Sequence, residues 1–303
     1  MSPLVVVLVP VLVQVAVAFQ YRPVVIIHGI GDTAADMGGL CISIQARYPG
    51  IYAWAAPFAD GIASIFTDMN TQVDELAAVV RANPLLMDGF NLVGISQGAL
   101  ISRAYVERYN MPKVSRLVSI VGPQEGIDGC PKTIYPMVCR FFEENPYHPS
   151  ISFGGYWKDV RNRDEYLERS VFLADINNER DVKNATYKSN MESLDMYVLA
   201  QALNDTVIRP KASELHGFWS WGHPGDHQPM EESAGYTGNW IGLKTLNEAG
   251  KLIRFQYEGD HVDYRGALFW KDTIIPLLND PIEENPVANV PIVIVEESFH
   301  YTL

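Results

Sequence analysis

The residues with the clearest chemical potential lie in the segment "NLVGISQGAL", residues 91–100, where an apolar run ends at a serine between two glycines. Gly94, Ser96 and Gly98 form a G-x-S-x-G pattern. This pattern makes a sharp turn between a strand and a helix and presents the serine hydroxyl at the edge of a sheet. The residues before it have a strand pattern and those after it a helical one. Ser96 is therefore the candidate nucleophile.

A serine nucleophile needs a histidine base and an acid, and with this turn the chain order is serine, acid, histidine. His261 in "YEGDHVDY" follows a strand pattern and precedes the last helical pattern, which places it at the same sheet edge as Ser96. Asp205 in "ALNDTVIRP" follows another strand pattern and lies between the two in sequence. We predict that His261 takes the Ser96 proton and that Asp205 orients the imidazole. The alternative for Asp205 is an Asx turn that closes a strand.

Acyl transfer also needs hydrogen-bond donors for the oxyanion that forms on the attacked carbonyl. With this turn the donors are two backbone N–H groups, one after the nucleophile and one in an early loop. Gln97 and Ile30, the latter in "HGIGD", fill these positions. No G-K-[ST] follows the glycine-rich loop, so it is not a phosphate-binding loop. The sequence predicts no cofactor and no metal site, and His28 is expected to brace the loop.

Strand and helix patterns alternate through the first part of the chain. "PVVIIHG", "GIYAWAAPF", "NLVGI" and "VSRLVSIVG" have strand patterns, while residues 65–83 and "GALISRAYVERY" have helical spacing. Such alternation is typical of βαβ units in a parallel sheet that is covered on both faces. The predicted fold class is α/β, an α/β-hydrolase fold with a mostly parallel central sheet and helices on both faces.

The alternation stops at about residue 123. From there to about residue 193 the sequence is rich in aromatic and charged residues and has no strand pattern. We predict a helical insert at about 123–193. Strand patterns return in "LDMYVLAQALND" and "KLIRFQYEG", and "RGALFWKDTIIPLL" predicts a final helix. One domain is expected over 19–303, with a C-terminal extension at about 280–303 that could add an edge strand.

The N-terminal segment has an apolar run from Leu4 to Val17 and the small-residue pattern Ala16-Val17-Ala18. It predicts a secretory signal peptide, residues 1–18, with no stable membrane span after cleavage. The run is short for a membrane span, although an uncleaved anchor and a buried strand or helix remain alternatives. The 23 basic residues are outnumbered by 36 acidic ones, for a formal charge of -13, and no basic stripe occurs. This composition argues against nucleic acid as a partner.

Passage through an oxidising compartment would affect the three cysteines. Cys130 and Cys139 lie close enough in sequence for a local disulfide, which would leave Cys41 unpaired. The alternative is three buried thiols. Asn184 and Asn204 begin sequons and are predicted glycosylation sites.

Seven segments of the chain carry a resemblance to a known family. They are "HGIGD", "GISQGAL", "VSIVGPQEG", "FLADINNER", "LNDTVIRP", "NEAGKL" and "EGDH", spread over about residues 22–279. The chain resembles the palmitoyl-protein thioesterases, lysosomal α/β hydrolases that remove fatty acyl groups from cysteines in proteins. The resemblance implies the same Ser96, Asp205 and His261, and the same oxyanion donors. It also implies an acyl-enzyme intermediate, a lysosomal location, and S-acylated proteins or peptides and fatty acyl thioesters as partners.

A long acyl chain contributes about 0.8 kcal/mol of binding free energy per buried CH₂, so such an enzyme needs an apolar groove. Candidate groove residues are the aromatic side chains Trp157, Phe218, Trp219 and Trp221. These four could equally be ordinary core or rim aromatics.

Two other functions fit the same residues. A lipase or carboxylesterase that acts on oxygen esters would use the same three side chains. A secreted binding protein could have kept the scaffold without catalysis, but an intact serine, aspartate and histidine set argues against it.

Overall fold

The computed structural model describes residues 20–129, 140, 144–148, 150–266 and 269–282. The predicted signal peptide lies outside these residues, as does the tail after Ile282. The described part contains a six-stranded sheet and a separate two-stranded sheet. The strands are β1 Val24–Ile27, β2 Ala53–Ala55, β3 Phe90–Ile95, β4 Val114–Ile120, β5 Met196–Ala202, β6 Phe218–Ser220, β7 His223–Gln228 and β8 Leu252–Tyr257.

Helices cover both faces of the large sheet. The α-helices are α1 Gly38–Arg47, α2 Ala63–Phe66, α3 Met69–Ala82, α4 Gln97–Arg108, α5 Ser152–Gly155, α6 Arg163–Arg169, α7 Leu173–Ile176, α8 Ala185–Glu192, α9 Ala234–Thr237, α10 Leu243–Glu248 and α11 Ile275–Leu277. Short 3₁₀ turns lie at Ala35–Met37, Pro84–Leu86, Lys211–Leu215, Met230–Glu232 and Asp263–Arg265, and a π-helical turn at Trp270–Ile274 precedes α11.

The large sheet has the strand order β2-β1-β3-β4-β5-β8, and every neighbouring pair is parallel. All residues of β1 and β3 are buried, as expected for central strands covered on both faces. Parallel strands bring all their carboxyl ends to one edge of a sheet. The loops after β3, β5 and β8 therefore meet at that edge.

Alternate side chains of each strand enter two separate cores. Val25 and Ile27 of β1 pack into one core with α3 and α4, while Val24 and Ile26 pack into the other with α1. Helix α3 begins at the N-cap Asp68, whose side chain accepts a hydrogen bond from the Thr71 amide. Because apolar side chains repeat along one face of α3, this helix is fixed to the sheet by burial.

Between β4 and β5 the described residues form helices α5 to α8 and no strand of the sheet. A single isolated bridge joins Ile127 to Trp157. The insert at about 123–193 stays a prediction as a separate subdomain. At the start of the predicted C-terminal extension, Pro281 forms an antiparallel bridge with Tyr21.

The two-stranded sheet of β6 and β7 was not anticipated by the sequence patterns. Its strands pair antiparallel, with Phe218 opposite Gln228. Strand β7, "HPGDHQ", is almost entirely exposed and has no alternating apolar side chains. A hairpin with only one partly buried strand leaves no periodic signal in the sequence.

No helix in the described part of the chain is both long and apolar enough to cross a bilayer. The parallel sheet, its helices on both faces and the strand-to-helix turn at Ser96 confirm the predicted α/β-hydrolase fold.

Candidate active site

The turn from β3 into α4 holds Ser96 in an unusual backbone conformation. Its φ is 53° and its ψ is -124°, a strained region for a residue with a side chain. The two flanking glycines allow neighbouring backbone segments to approach the turn closely. A Cβ on Gly94 would lie 2.4 Å from the Cα of Ala99, and one on Gly98 would lie 2.3 Å from the His28 carbonyl oxygen. The motif thus packs helix, strand and neighbouring loop tightly around the serine, whose hydroxyl oxygen faces the His261 ring.

His261 links Ser96 to Asp205 in a continuous hydrogen-bonded chain. Its Nε2 lies 3.0 Å from Ser96 Oγ, and its Nδ1 lies 2.6 Å from Asp205 Oδ2. Ser96 and His261 are buried, and the Asp205 side chain is fully shielded from solvent. With Nδ1 donating to the carboxylate, Nε2 is free to accept the serine proton. The structure therefore brings together the three side chains that the chain order selected.

The Asp205 carboxylate also organises its own loop. Its Oδ1 accepts hydrogen bonds from the amides of Val207, at 2.7 Å, and Ile208, at 2.8 Å. The Asx turn that was the alternative interpretation is thus present, and it leaves Oδ2 directed at His261. Turn formation and the contact with the base use different oxygens of one carboxylate.

Asp260 connects the loop after β5, which carries Asp205, to the loop after β8, which carries His261. Its Oδ1 accepts hydrogen bonds from the Thr206 amide and from the His261 amide, at 2.8 and 2.7 Å. Thr206 Oγ1 donates to the same carboxylate. These hydrogen bonds, with that to the His261 amide first, outweigh the small effect of burial and lower the pKa of Asp260. The Asp260 carboxylate therefore joins the loop of Asp205 to the loop of His261, and it does so without a hydrogen bond to either ring nitrogen of His261.

The two predicted oxyanion donors flank Ser96. Within the described residues, neither the Ile30 nor the Gln97 amide donates a hydrogen bond. Ser64 ties the two sides together, since its Oγ accepts from the Gly31 amide at 2.7 Å and its carbonyl accepts from Gln97 Nε2 at 2.9 Å. The Gln97 side chain is thus engaged in the protein interior, and the oxyanion role of its backbone amide stays a prediction.

His28 packs beneath the same loop. Its Nδ1 lies 2.8 Å from the Gly29 carbonyl oxygen, and its Nε2 lies 3.1 Å from the Phe58 carbonyl oxygen. It contacts neither Ser96 nor Asp205 through a hydrogen bond. This histidine braces the loop, as predicted.

A cavity of about 170 Å³ opens at Ser96 and His261. Its wall combines the oxyanion loop with apolar side chains from four separate loops and helices. The apolar residues are Pro123, Ile127, Phe153, Val207, Ile208 and Val262. Such a cavity suits an apolar group attached to a polar reacting centre.

The structure corrects the predicted acyl groove, because none of its four aromatic candidates lines this cavity. Phe218, Trp219 and Trp221 line a different cavity of about 350 Å³, and Trp157 is buried in the core. The hairpin of β6 and β7 turns Phe218 and Trp221 toward the Lys158 ammonium, 5.2 and 5.5 Å from their ring centres. These rings thus contact a buried cation at the second cavity.

Some residues of the site were missed by the sequence patterns. Val207 and Ile208 lie two and three residues after Asp205 in "NDTVIRP", and a β-branched pair close to the candidate acid could have marked them as cavity wall. Phe153 and Tyr156 come from the predicted insert and have no such signal. The Tyr156 hydroxyl donates to Gln97 Oε1 at 3.0 Å, which connects this part of the chain to the nucleophile turn.

The remaining predicted positions lie away from the cavity. Cys41 is free and buried, and burial raises the pKa of its thiol to about 11. Cys130 and Cys139 lie outside the described residues, so their disulfide stays a prediction. Asn184 and Asn204 are both exposed, and glycosylation at either stays a prediction.

Comparison of the sequence with known proteins matches the chain to one family. The family described as "Palmitoyl protein thioesterase" matches residues 23–261. "Palmitoyl-protein thioesterase 3" of Dictyostelium discoideum is 41% identical over 255 residues, which cover 82% of this chain and 88% of the relative. "Palmitoyl-protein thioesterase 1" of Caenorhabditis elegans is 32% identical over 274 residues, covering 85% and 92%. "Lysosomal thioesterase PPT2" of Homo sapiens is 30% identical over 248 residues, covering 79% and 82%. The chain belongs to the palmitoyl protein thioesterase family.

Proposed function

We propose that this protein removes long-chain fatty acyl groups from S-acylated cysteines of proteins, through an acyl-enzyme intermediate on Ser96. The observation that carries the proposal is the hydrogen-bonded chain from Ser96 through His261 to Asp205 at the mouth of an apolar cavity. The relatives named thioesterases support a thioester as the substrate class.

In the first half-reaction, Ser96 Oγ attacks the thioester carbonyl carbon while His261 Nε2 takes the hydroxyl proton. The carbonyl oxygen becomes an oxyanion, and the amides of Ile30 and Gln97 donate hydrogen bonds to it. The C–S bond then breaks, and the imidazolium gives its proton to the leaving cysteine sulfur. Asp205 stabilises the imidazolium throughout but takes no proton.

In the second half-reaction, water attacks the acyl-Ser96 ester. His261 Nε2 removes a proton from this water and returns it to Ser96 Oγ as the fatty acid leaves. The same oxyanion donors act again. A thiol is more acidic than an alcohol, so the C–S bond can break before the proton of His261 is fully transferred to the sulfur, and the first half-reaction asks less of His261 than oxygen-ester cleavage does.

The apolar wall favours a hydrocarbon chain next to the reacting carbonyl. Ile127, Phe153 and Ile208 line the cavity together with Ser96. Each buried CH₂ of an acyl chain contributes about 0.8 kcal/mol of binding free energy. The chain therefore supplies binding energy, while the cysteine side faces the opening.

Several relatives are named "Lysosomal thioesterase PPT2", which supports a lysosomal or secretory-pathway location. The predicted signal peptide agrees with such a location. We propose S-acylated proteins or peptides and fatty acyl thioesters as its partners there.

The test compares an S-palmitoyl cysteine peptide with the same peptide carrying O-palmitoyl serine, together with a chain-length series of acyl thioesters. Ser96→Ala serves as the control for background hydrolysis. We expect faster cleavage of the thioester and a rate that rises with chain length. Preference for the oxygen ester would overturn the thioester assignment and leave a lipase or carboxylesterase.

A further inference from the structure

A second buried carboxyl group lies behind the acid of the site. Glu214, in the 3₁₀ turn Lys211–Leu215, is only 1% exposed. Its Oε2 accepts a hydrogen bond from the Ala202 amide at 3.0 Å, at the end of the strand that leads to Asp205. The Glu214 side chain lies within hydrogen-bonding reach of the Asp205 carboxylate. Two carboxyl groups thus meet in a place closed to solvent.

The other oxygen of Glu214, Oε1, is buried and has no donor among the described residues. A carboxylate oxygen left this way is costly, whereas a protonated oxygen can donate a hydrogen bond. Burial first, and then the charge of Asp205, raise the pKa of Glu214 well above its ordinary value. Two carboxylates at hydrogen-bonding distance cannot both be ionised without a large penalty.

Few other titratable groups face this pair. Lys211 lowers the pKa of Glu214 slightly by its charge, but its Nζ already donates to the Leu203 carbonyl oxygen. Tyr257 of β8 lies close to both carboxyl groups, and its buried hydroxyl has no hydrogen-bond partner in the described part of the chain. Burial is the largest cause that raises the pKa of Tyr257, so this hydroxyl stays neutral. His261 is the remaining neighbour, on the far side of Asp205.

We propose that Glu214 holds a proton on Oε1 and donates it in a hydrogen bond to Asp205, which makes Glu214 a positioning residue for the catalytic acid. The inference rests on the proposed serine hydrolase function. Asp205 then receives Glu214 in addition to the Val207 and Ile208 amides and His261. This neutral donor fixes the carboxylate and disperses its charge without adding a second one.

The hydrogen bond from Glu214 to Asp205 depends on pH. Below the raised pKa of Glu214 the donor is present, and the site is complete in an acidic compartment. Above it, loss of the proton places a second negative charge beside Asp205 and removes the donor. A glutamine at this position has an N–H donor that cannot be lost, and its oxygen can still accept from the Ala202 amide.

The first experiment measures kcat and KM for a palmitoyl thioester across pH in wild type, Glu214→Gln and Glu214→Met. We expect Glu214→Gln to match wild type at acidic pH and to keep activity at alkaline pH where wild type loses it. Glu214→Met should lower kcat by about 10-fold or more with little change in KM, since it removes a hydrogen bond to a charged group. An alkaline limb that is the same in wild type and Glu214→Gln would overturn the proposal.

A second readout does not depend on activity. The infrared spectrum of wild type minus that of Glu214→Gln, recorded at neutral pH, should contain the C=O band of a protonated carboxyl group, and Ser96→Ala should retain this band. Glu107, whose pKa is also raised, is present in all three proteins and cancels in the difference. If Ser96→Ala retained activity, the proposed function would fail while this band could still be observed. Absence of any band difference between wild type and Glu214→Gln would refute the proton on Glu214. This spectrum also decides the matter if Glu214→Met does not fold.

Discussion

The Nδ1 atom of His261 lies 2.6 Å from Oδ2 of Asp205, and the Asp205 side chain has no solvent exposure. This short contact selects the imidazole tautomer that has its other nitrogen, Nε2, directed at Ser96. Because water cannot compete for the carboxylate, the contact remains available to stabilise an imidazolium during turnover.

Replacing Asp205 with asparagine should lower kcat by about 10³–10⁴-fold, because the amide favours the wrong imidazole tautomer. KM for a palmitoyl thioester should change little. The matched control is Asp226→Asn in β7, where the aspartate is exposed, lies in the separate two-stranded sheet and does not line the cavity at Ser96. Steady-state kinetics measure kcat for both variants, and an equal fall in kcat in the two would contradict the assignment of Asp205.

Shortening the cavity wall should weaken binding of long acyl chains selectively. Ile208→Ala removes apolar contact that contributes about 1–3 kcal/mol to a bound chain, so kcat/KM for palmitoyl thioester should fall about 10- to 100-fold. The acetyl thioester, which does not reach the wall, should be affected far less. The control is Trp219→Ala at the second cavity, which should leave the chain-length profile unchanged. A profile altered by Trp219→Ala alone would restore the aromatic groove.

Ser64 should matter for kcat through the oxyanion loop. The Ser64 hydroxyl oxygen accepts a hydrogen bond from the Gly31 amide at 2.7 Å. Ser64→Ala removes this acceptor, which should loosen the position of the neighbouring Ile30 amide. We expect kcat to fall about 10-fold with KM nearly constant, since less than a full oxyanion donor is lost. Ser43→Ala, an exposed serine on α1, is the control. A change confined to KM would argue against this role.

Stability should depend on pH through Glu107. This carboxyl group is paired with the buried Arg103 at 2.9 Å, yet burial raises its pKa from 4.5 to about 7. A raised pKa means that the folded state binds the proton more tightly. Stability is therefore highest below the unfolded pKa and is lost as pH rises through about 7.

The size of the effect is about 2–3 kcal/mol of unfolding free energy between mildly acidic and neutral pH, because one pKa unit corresponds to about 1.4 kcal/mol. Urea unfolding at several pH values would measure it. Glu107→Gln keeps an acceptor for Arg103 but cannot titrate, so its stability should vary less over the same range. Parallel curves for the two proteins would rule out Glu107 as the source.

The three residues at the centre of the site could be chosen from the sequence for a physical reason. Buried parallel strands produce apolar runs that are easy to recognise, and all their carboxyl ends share one edge. A serine, an aspartate and a histidine that each follow a strand of such a sheet are brought to the same place. Ser96, Asp205 and His261 satisfy this rule, so chain order was sufficient to group them.

The cavity and its supporting groups could not be chosen in this way. Phe153 reaches the site from the short helix α5 between β4 and β5, which at four residues is too short to show a helical period in the sequence. Trp219 and Trp221 looked like wall residues because they are aromatic, but the hairpin that carries them has no sequence signature. Glu214 in "KASELHG" is indistinguishable from a surface glutamate until its burial is seen.

The most direct test of the account is mass spectrometry of the protein quenched during turnover of a palmitoyl thioester. The account predicts a covalent palmitoyl group on the peptide that contains Ser96 in wild type, and none in Ser96→Ala. Fragmentation of that peptide would assign the palmitoyl group to the Ser96 side chain in the turn between β3 and α4. Thioester hydrolysis that proceeds at the wild-type rate in Ser96→Ala, or acylation of a different residue, would contradict it.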